Sequence, residues 1–284
     1  MKKLRPFVKW AGGKTQLLPA IRERMPKSYR RYIEPFLGGG ALLLATRPCD
    51  AIASDSNPVL IQAYADIQEH PETVMEKTRH LDHMLQEKQT REDQNACYQA
   101  IRARFNACLG KGSLNTTSTA LFLFLNKHCF NGLYRMNQRG EFNAPFAYTA
   151  RDSFTEEEIL AVSGFLQETK VQLSCCDFGD TCRKAREGDF VFIDSPYAPI
   201  GEAKNFVSYT KAGFTEADHR RLAETVRNMA HRGAMVLVTN HDTPLIRKLY
   251  EGFPIEKVRV HRNISCDGRN RYGEEVLITT YQHP

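Results

Sequence analysis

The sequence predicts an α/β fold in which a mostly parallel sheet carries an inserted helical subdomain. Short runs rich in β-branched and other apolar residues recur along the chain and end in turn or acidic residues, as buried strands do. Helix-favouring segments alternate with these runs, which is typical of parallel strands joined by crossover helices. One long polar, helix-favouring stretch interrupts the alternation between the second and third runs.

Seven segments are candidate strands. The first runs into the glycine cluster Gly38-Gly39-Gly40, and an apolar helix start follows at residues 41–45. The fourth ends in an acidic tetrapeptide, and the last three lie in the C-terminal third of the chain. In chain order the segments are residues 31–36, 51–54, 171–175, 189–193, 234–239, 257–261 and 275–281.

The block between the second and third strands differs in character and is predicted to be an insertion. Its first half, residues 72–107, is polar and helix-favouring, and a loop rich in glycine, serine and asparagine follows. An apolar helix around Leu121 and a basic, asparagine-rich segment, residues 126–146, complete it. We expect a catalytic domain of residues 1–58 and 156–284 and an inserted subdomain of residues 59–155.

The composition excludes several classes of protein. The chain has 284 residues, 42% hydrophobic and 25% charged, which is average for a globular protein and unlike disordered, collagen-like or coiled-coil chains. Apolar runs reach about five residues, far short of the roughly 20 that a membrane-spanning helix needs. The N-terminus lacks the apolar core of a signal peptide. The eight cysteines show no disulfide framework and no metal-ligand spacing, so we expect a reduced, cytoplasmic protein without a metal.

The charge balance permits a polyanionic partner. Lysine and arginine number 39 against 33 acidic residues, which gives a net charge of +6. The excess is concentrated in residues 127–151 and 257–271. A solvated basic surface accounts for this charge equally well, so charge by itself identifies no partner.

The first two strands end in residues suited to nucleotide binding. The turn from Phe36 through Gly38 to Gly40 opens a helix, and glycine there lets the backbone approach a ligand. Asp55 ends the second strand, where a carboxylate can accept hydrogen bonds from a ribose diol. A simple glycine turn and an ordinary strand-ending aspartate are the alternatives.

The third strand ends in Asp177 and Phe178, an acceptor beside an aromatic face that could hold an adenine. The alternative is a buried phenylalanine beside a turn aspartate. Because ligands of open α/β sheets bind beyond the carboxyl ends of the strands, the three strand ends together make a stronger case than any one alone.

The fourth strand ends in Asp194-Ser195-Pro196-Tyr197, which suits chemistry on a planar amine. Such an amine is a poor nucleophile because its lone pair is delocalised into the ring. A carboxylate that accepts one N–H, with a backbone carbonyl accepting the other, favours a pyramidal nitrogen with an exposed lone pair. Proline stiffens the loop, and the tyrosine ring can stack on a base. The arrangement suits methyl transfer from a sulfonium cofactor, and a plain Pro-Tyr turn is the alternative.

Seven motifs from residue 7 to residue 242 extend this pattern. They are Phe7-Val8-Lys9-Trp10-Ala11-Gly12-Gly13-Lys14, Glu34-Pro35-Phe36-Leu37-Gly38-Gly39-Gly40, Asp55-Ser56-Asn57, Phe130-Asn131-Gly132-Leu133-Tyr134-Arg135-Met136-Asn137, Gly140-Glu141-Phe142-Asn143-Ala144-Pro145-Phe146, Asp194-Ser195-Pro196-Tyr197 and Thr239-Asn240-His241-Asp242. In these motifs and in their order, the chain resembles the Dam family of DNA adenine-N6 methyltransferases from about residue 5 to residue 281.

The resemblance implies a class I methyltransferase fold with a seven-stranded sheet and S-adenosylmethionine as methyl donor. Asp194 would hold the target amine, Pro196 would stiffen the loop, and Tyr197 would stack on the adenine. The implied cofactor site includes Trp10, Lys14, Asp55 and Asp194 and, in the same pocket, Phe36, Gly38, Gly40, Asp177 and Phe178.

The resemblance also implies that double-stranded DNA is the partner, that GATC is the usual site and that the protein is a monomer. Because adenine N6 lies inside the duplex, the base must be flipped out. Phe130 would be the wedge beside the target, with Asn131 next to the vacated stack, and Arg135 suits a guanine edge. Lys9 would be a second base contact, Asn137 and Arg139 would position phosphates or neighbouring groups, and the basic run 257–271 would clamp the backbone.

Two departures from the family, at Ser195 and at residues 147–151, bear on the alternatives that stay open. Ser195 stands where the family usually has proline, which removes about 0.4–1 kcal/mol of loop rigidity and adds a hydroxyl that could compete for the base. A catalytically weakened DNA-binding regulator is one alternative. A different or relaxed site is another, because residues 147–151 are less basic and aromatic than in close relatives. RNA or a protein amide as substrate is the third.

Overall fold

The computed structural model describes residues 4–200, 213–261 and 272–282. The chain divides into two compact units. The first unit is Met1–Gly13, Gly38–Arg47 and Asn57–Cys175, and the second is Lys14–Leu37, Pro48–Ser56 and Cys176–Pro284. The expected insertion, residues 59–155, falls within the first unit, which also contains residues on both sides of it.

Seven strands form one sheet. They are β1 (Tyr32–Glu34), β2 (Ala51–Asp55), β3 (Gln172–Cys175), β4 (Phe190–Ile193), β5 (Met235–His241), β6 (Ile255–His261) and β7 (Tyr272–Thr279). The order is β3-β2-β1-β4-β5-β7-β6. β1 pairs in parallel with β2 and β4, and β4 with β5, whereas β7 is antiparallel to β5 and β6. The predicted mostly parallel sheet is confirmed.

The burial of the strands explains why they could be read from the sequence. β1 and β4 are buried throughout, and β2 is buried up to its last residue. Parallel strands covered on both faces show continuous apolar runs rather than alternation. β6 lies at the edge of the sheet and exposes Lys257 and Arg259, which is a common protection of sheet edges. It begins at Ile255, two residues before the predicted start.

The described helices are α1 (Leu18–Arg24), α2 (Ala41–Thr46), α3 (Pro58–Glu69), α4 (Pro71–Gln86), α5 (Arg91–Gly110), α6 (Thr116–His128), α7 (Glu156–Glu168), α8 (Phe178–Cys182), α9 (Glu216–His231) and α10 (Pro244–Leu249). Within the described part of the chain, no helix is long and apolar enough to cross a membrane.

Helix α6 forms the core of the first unit. It begins with a capping box between Asn115 and Ser118, and every residue from Ser118 to Asn126 is buried. A helix that is apolar all round must be covered on all sides. The predicted apolar helix around Leu121 is therefore confirmed, and the polar half before it forms α4 and α5.

The segment that follows α6 doubles back on itself, and we call residues 129–147 the return loop. It starts with a 3₁₀ turn, Phe130–Gly132. Two antiparallel bridges close it, from Cys129 to Phe146 and from Met136 to Phe142. The backbone N–H of Phe130 also donates to the Pro145 carbonyl at 2.8 Å. The basic segment predicted from the sequence is therefore an ordered loop whose two ends lie next to each other.

A buried ion pair joins β1 to β4 in the second unit. Asp189 has no exposed side-chain surface, and Arg31 donates to its two oxygens from Nε at 3.1 Å and Nη2 at 2.6 Å. The backbone N–H of Arg186 donates to the same carboxylate at 2.8 Å. Hydrogen bonding to Asp189 raises the pKa of Arg31. The pair thus fixes the chain just before each strand begins.

We expect Asp189→Ala to lower the free energy of unfolding by about 3 kcal/mol, because it leaves a largely buried guanidinium without its counter-charge. Asp180→Ala is the matched control. It removes an exposed ion pair with Arg183 and should cost at most about 0.5 kcal/mol. Urea unfolding of the three proteins measures both losses, and equal losses would contradict a structural role for the buried pair.

Candidate active site

The register of the sheet places three predicted site residues, Phe36, Asp55 and Asp194, at matching positions beyond the ends of neighbouring strands. Glu34 of β1 pairs with Ala53 of β2, so Phe36 and Asp55 each lie two residues beyond that pair. Ile33 pairs with Val191 of β4, so Phe36 and Asp194 each lie three residues beyond it. Their strands are parallel, and all three residues therefore lie at the carboxyl edge of the sheet, where open α/β sheets bind ligands.

Asp194 is held through one of its two oxygens. Its Oδ1 lies 2.8 Å from the Lys14 Nζ and accepts a hydrogen bond of 2.8 Å from Thr239 Oγ1. Thr239 is adjacent because β4 and β5 pair in register up to Ile193 and Val238. Among the described residues, Oδ2 has no hydrogen-bond partner, and 19% of the side chain is exposed. Both protein contacts of the carboxylate are thus made through one oxygen.

Tyr197 is fixed beside this carboxylate. Its hydroxyl donates to Glu275 Oε2 at 2.7 Å, and the His241 ring meets its ring edge-on at 4.8 Å between centroids. The Lys14 Nζ lies 4.4 Å from the centre of the same ring. The lysine therefore contacts both Asp194 and Tyr197.

The end of β5 holds the loop that joins Asp194 to Tyr197. Asn240 Oδ1 accepts the backbone N–H of Ala198 at 2.9 Å, and the carbonyl of Ala198 lies 2.8 Å from His241 Nδ1. With the bond from Thr239 to Asp194, three consecutive residues of β5 contact the loop. The motif Thr239-Asn240-His241 is therefore the support of the tetrapeptide, a role that the sequence did not reveal.

Ser195 occupies a buried position within this loop. Only 2% of the residue is exposed, and its Oγ has no hydrogen-bond partner among the described residues. The hydroxyl is enclosed by protein rather than presented to solvent. The sequence suggests a competing hydrogen bond between this hydroxyl and the target base, and the burial of Ser195 argues against it. Pro196, in contrast, is exposed.

The ionisation of the site follows from this enclosure. Burial raises the pKa of Asp194, while the charge and hydrogen bond of Lys14 and the hydrogen bond of Thr239 lower it. Burial, with the nearby carboxylates of Asp194 and Glu275, holds the pKa of Tyr197 well above its usual value. Tyr197 is therefore a neutral phenol that donates a hydrogen bond, and Lys14 is the largest of the influences that lower the pKa of Asp194 against the effect of burial.

The end of the third strand is occupied by protein contacts. Both oxygens of Asp177 accept hydrogen bonds from Arg221, at 2.7 and 2.8 Å, and these bonds lower the pKa of Asp177. Phe178 is buried, stacks on Phe36 with centroids 5.3 Å apart, and lies 3.9 Å from the Arg221 guanidinium. These contacts favour the alternative of a buried phenylalanine beside a turn aspartate, and a cofactor role for the two residues stays a prediction.

The other predicted cofactor residues lie in the first unit. Trp10 stacks on Tyr134 with ring centroids 5.4 Å apart. Gly38 has a φ of +48°, and a Cβ there would lie 3.0 Å from the Trp10 ring. A larger residue at position 38 would therefore disturb the indole. Gly40, the N-cap of α2, also has a left-handed φ of +61°. Their contact with a cofactor stays a prediction.

The predicted DNA contacts of the return loop share one unit with Lys9. Phe130 is 58% exposed at the turn, which is unusual for a ring of this size, and Asn131 beside it is exposed with a left-handed φ of +57°. Arg135 is exposed and is held by Asn143, whose Oδ1 accepts from Nε at 2.8 Å and whose carbonyl accepts from Nη2 at 2.9 Å. These two bonds hold the Nε–Nη2 edge of the Arg135 guanidinium and thereby fix the direction of its opposite edge.

Asn137 has a structural use within the loop. Its Oδ1 accepts the backbone N–H groups of Arg139 and Glu141 at 2.9 and 3.0 Å, and its Nδ2 donates to Glu141 Oε2 at 2.8 Å. These bonds form the tight turn that presents the exposed Arg139. The predicted basic clamp falls largely on residues 262–271, which lie outside the described residues.

An open, mostly parallel seven-stranded sheet with an antiparallel β7 beside β5 is the class I methyltransferase fold. Asp55 and Asp194 lie at the carboxyl edge of the sheet, where open α/β sheets bind their ligands. The fold and the site thus define the chain as a class I methyltransferase.

Comparison with known proteins narrows the class. A family model described as D12 class N6 adenine-specific DNA methyltransferase matches residues 10–264. The chain is 37% identical over 293 residues to the type II methyltransferase M.MjaIII of Methanocaldococcus jannaschii. That alignment covers 98% of this chain and 99% of that protein. The chain is 34% identical over 283 residues to the DNA adenine methylase of Salmonella typhi, covering 99% and 97%. The chain belongs to the D12 class and is a DNA adenine-N6 methyltransferase.

We expect Lys14→Met to shift the acid limb of the pH profile of kcat/KM for DNA to higher pH. We expect activity to require ionised Asp194 and therefore to be lost as pH falls through the pKa of that carboxyl. Burial already raises that pKa, and removing the lysine charge raises it further.

The profiles are measured at saturating methyl donor, with Lys248→Met as the control for loss of an exposed positive charge from the same unit. A limb that stays in place in Lys14→Met, or that moves equally in Lys248→Met, would contradict this account of Asp194.

Proposed function

We propose that this enzyme transfers a methyl group from S-adenosylmethionine to adenine N6 in duplex DNA at GATC, after flipping the target base out of the helix. It acts in the cytoplasm, in association with DNA, and it works as a monomer. The single observation that carries the proposal is the asymmetric binding of Asp194, whose Oδ1 is occupied by Lys14 and Thr239 while Oδ2 has no partner among the described residues.

This asymmetry suits an exocyclic amine. Oδ2 can accept one N–H of the target, and the backbone carbonyl of Ser195 can accept the other, which draws the nitrogen toward a pyramidal geometry. Lys14 and Thr239 keep the carboxylate from turning, so its orientation is set before the base arrives. Tyr197, held by Glu275, provides the ring against which the adenine can stack.

The residues of the second unit are chemically suited to a methyl donor of this kind. Phe36 and Asp55 occupy matching positions beyond β1 and β2, and they offer an aromatic face and a carboxylate that can accept a ribose diol. Asp194 adds negative charge near the place where a sulfonium would lie. S-adenosylmethionine, when bound, supplies an activated methyl group. We include Lys14, Asp177 and Phe178 in this site. Trp10, Gly38 and Gly40 of the first unit are carried as separate predicted cofactor contacts.

The return loop supports duplex DNA as the substrate. Phe130 exposes an aromatic ring at the tip of an ordered turn, which is suited to fill the stack that a flipped base leaves. Arg135 is clamped through Nε and one Nη2 hydrogen, so the remaining guanidinium hydrogens can face a guanine O6 and N7. We assign Asn131, Asn137, Arg139 and Lys9 to the same DNA surface.

Tritiated methyl transfer tests the proposal with two unmethylated duplexes that differ only in a scrambled GATC. We expect incorporation into the GATC duplex alone, because the clamped Arg135 and the return loop read base edges.

Equal incorporation into both duplexes would overturn the GATC assignment while preserving the chemistry. Preferred incorporation into an added RNA or protein competitor would overturn the substrate class. Absence of incorporation, with methyl donor still bound, would favour the catalytically weakened DNA-binding regulator.

A further inference from the structure

Asn126 is a buried amide that no motif of the sequence assigns to a function. It lies near the end of α6 and only 3% of it is exposed. Its Oδ1 accepts the backbone N–H of Lys9 at 2.8 Å, and its Nδ2 donates to the Lys9 carbonyl at 2.9 Å. The same Nδ2 donates to the Gly132 carbonyl at 3.2 Å. One side chain thus binds two chain segments.

The two segments are those to which the proposed function gives base contacts. Asn126 holds the backbone of Lys9, whereas the Lys9 side chain is exposed. The Lys9 amine can therefore extend into solvent from a backbone position that is fixed. Gly132 closes the turn that carries Phe130 and Asn131. Lys9 and Asn126 are 117 positions apart in the sequence, and these bonds set their relation in space.

The contact between Lys9 and the turn is tight. A Cβ added at Gly132 would lie 2.4 Å from Lys9 Cδ and 2.6 Å from Lys9 Cβ, distances that no real side chain tolerates. Gly132 also has a φ of +66°, which favours glycine. The stem of Lys9 therefore lies directly against the backbone of the turn, and the bonds of Asn126 hold it there.

We propose that Asn126 is a positioning residue for sequence recognition, which fixes Lys9 and the Phe130–Gly132 turn at one spacing. The proposal rests on the proposed function of Lys9 as a base contact. A lysine reads a base edge only when its backbone is placed within reach, and the turn sets where the duplex lies. Without the amide, Lys9 and the turn would reach the duplex independently, and the base contact would lose its selectivity.

The test compares kcat/KM on GATC with kcat/KM on duplexes that carry one changed base pair of the site. We expect Lys9→Ala to reduce discrimination at one position by about tenfold, the size of a lost base contact. Asn126→Ala should reduce discrimination at the same position to a similar extent. The double variant should lose no more than either single variant, because both changes remove one contact.

Asn106→Ala is the matched control. Asn106 likewise exchanges two hydrogen bonds with one backbone residue, Phe142 of the return loop, at 2.8 and 3.1 Å. It does not bond Lys9, so its loss should leave discrimination at the Lys9 position within about twofold of wild type, whatever it does to stability. Gly132→Ala tests the positioning of Lys9 in a second way. The added methyl group displaces the Lys9 stem while Asn126 is intact, so we expect the same loss of discrimination as in Asn126→Ala.

The outcomes separate the inference from the function on which it rests. Unchanged discrimination in Lys9→Ala would overturn the base contact of Lys9, and the positioning role with it. Loss in Lys9→Ala with wild-type discrimination in Asn126→Ala and Gly132→Ala would overturn the positioning role alone. Additive losses in the double variant, or an equal loss in Asn106→Ala, would also overturn it. If Asn126→Ala does not fold, Gly132→Ala decides between these results.

Discussion

The proposed chemistry depends on a carboxylate that the protein holds by one oxygen. Lys14 and Thr239 both contact Oδ1 of Asp194, and neither contacts Oδ2. Burial raises the pKa of Asp194, and the charge of Lys14 and the hydrogen bonds of Lys14 and Thr239 lower it. The same two residues fix the orientation of the carboxylate through Oδ1. In the proposed reaction, Oδ2 is the oxygen that binds the substrate.

The rest of the second unit keeps this arrangement in place. In-register pairing of β4 with β5 puts Thr239 beside Asp194, and the next two residues of β5 bind the loop that leads to Tyr197. β7 then contributes Glu275 to the tyrosine hydroxyl. Because β5 and β7 together hold Asp194, Tyr197 and Ala198, the loss of one proline at Ser195 removes little of the total constraint. The buried serine hydroxyl is consistent with a working site.

Much of the fold could be predicted because the relevant signals are local. Buried parallel strands such as β4 are continuous apolar runs, and their acidic ends mark the carboxyl edge of the sheet. The bond from Thr239 to Asp194 spans 45 positions, and that from Arg221 to Asp177 spans 44. Such partners depend on strand register and helix packing, which a local pattern does not specify. Asp177 illustrates the consequence, since its sequence suggested a ligand acceptor whereas its oxygens both bind Arg221.

The most direct test of this account is the rate of methyl transfer in a single turnover by Asp194→Asn, with the dissociation constant for the GATC duplex measured alongside. Asparagine keeps the shape but loses the charge that Lys14 balances. The account predicts a rate at least about 100-fold lower and a DNA affinity within about threefold of wild type, since phosphate contacts dominate affinity. A rate close to that of the wild type would contradict the central role of the Asp194 carboxylate.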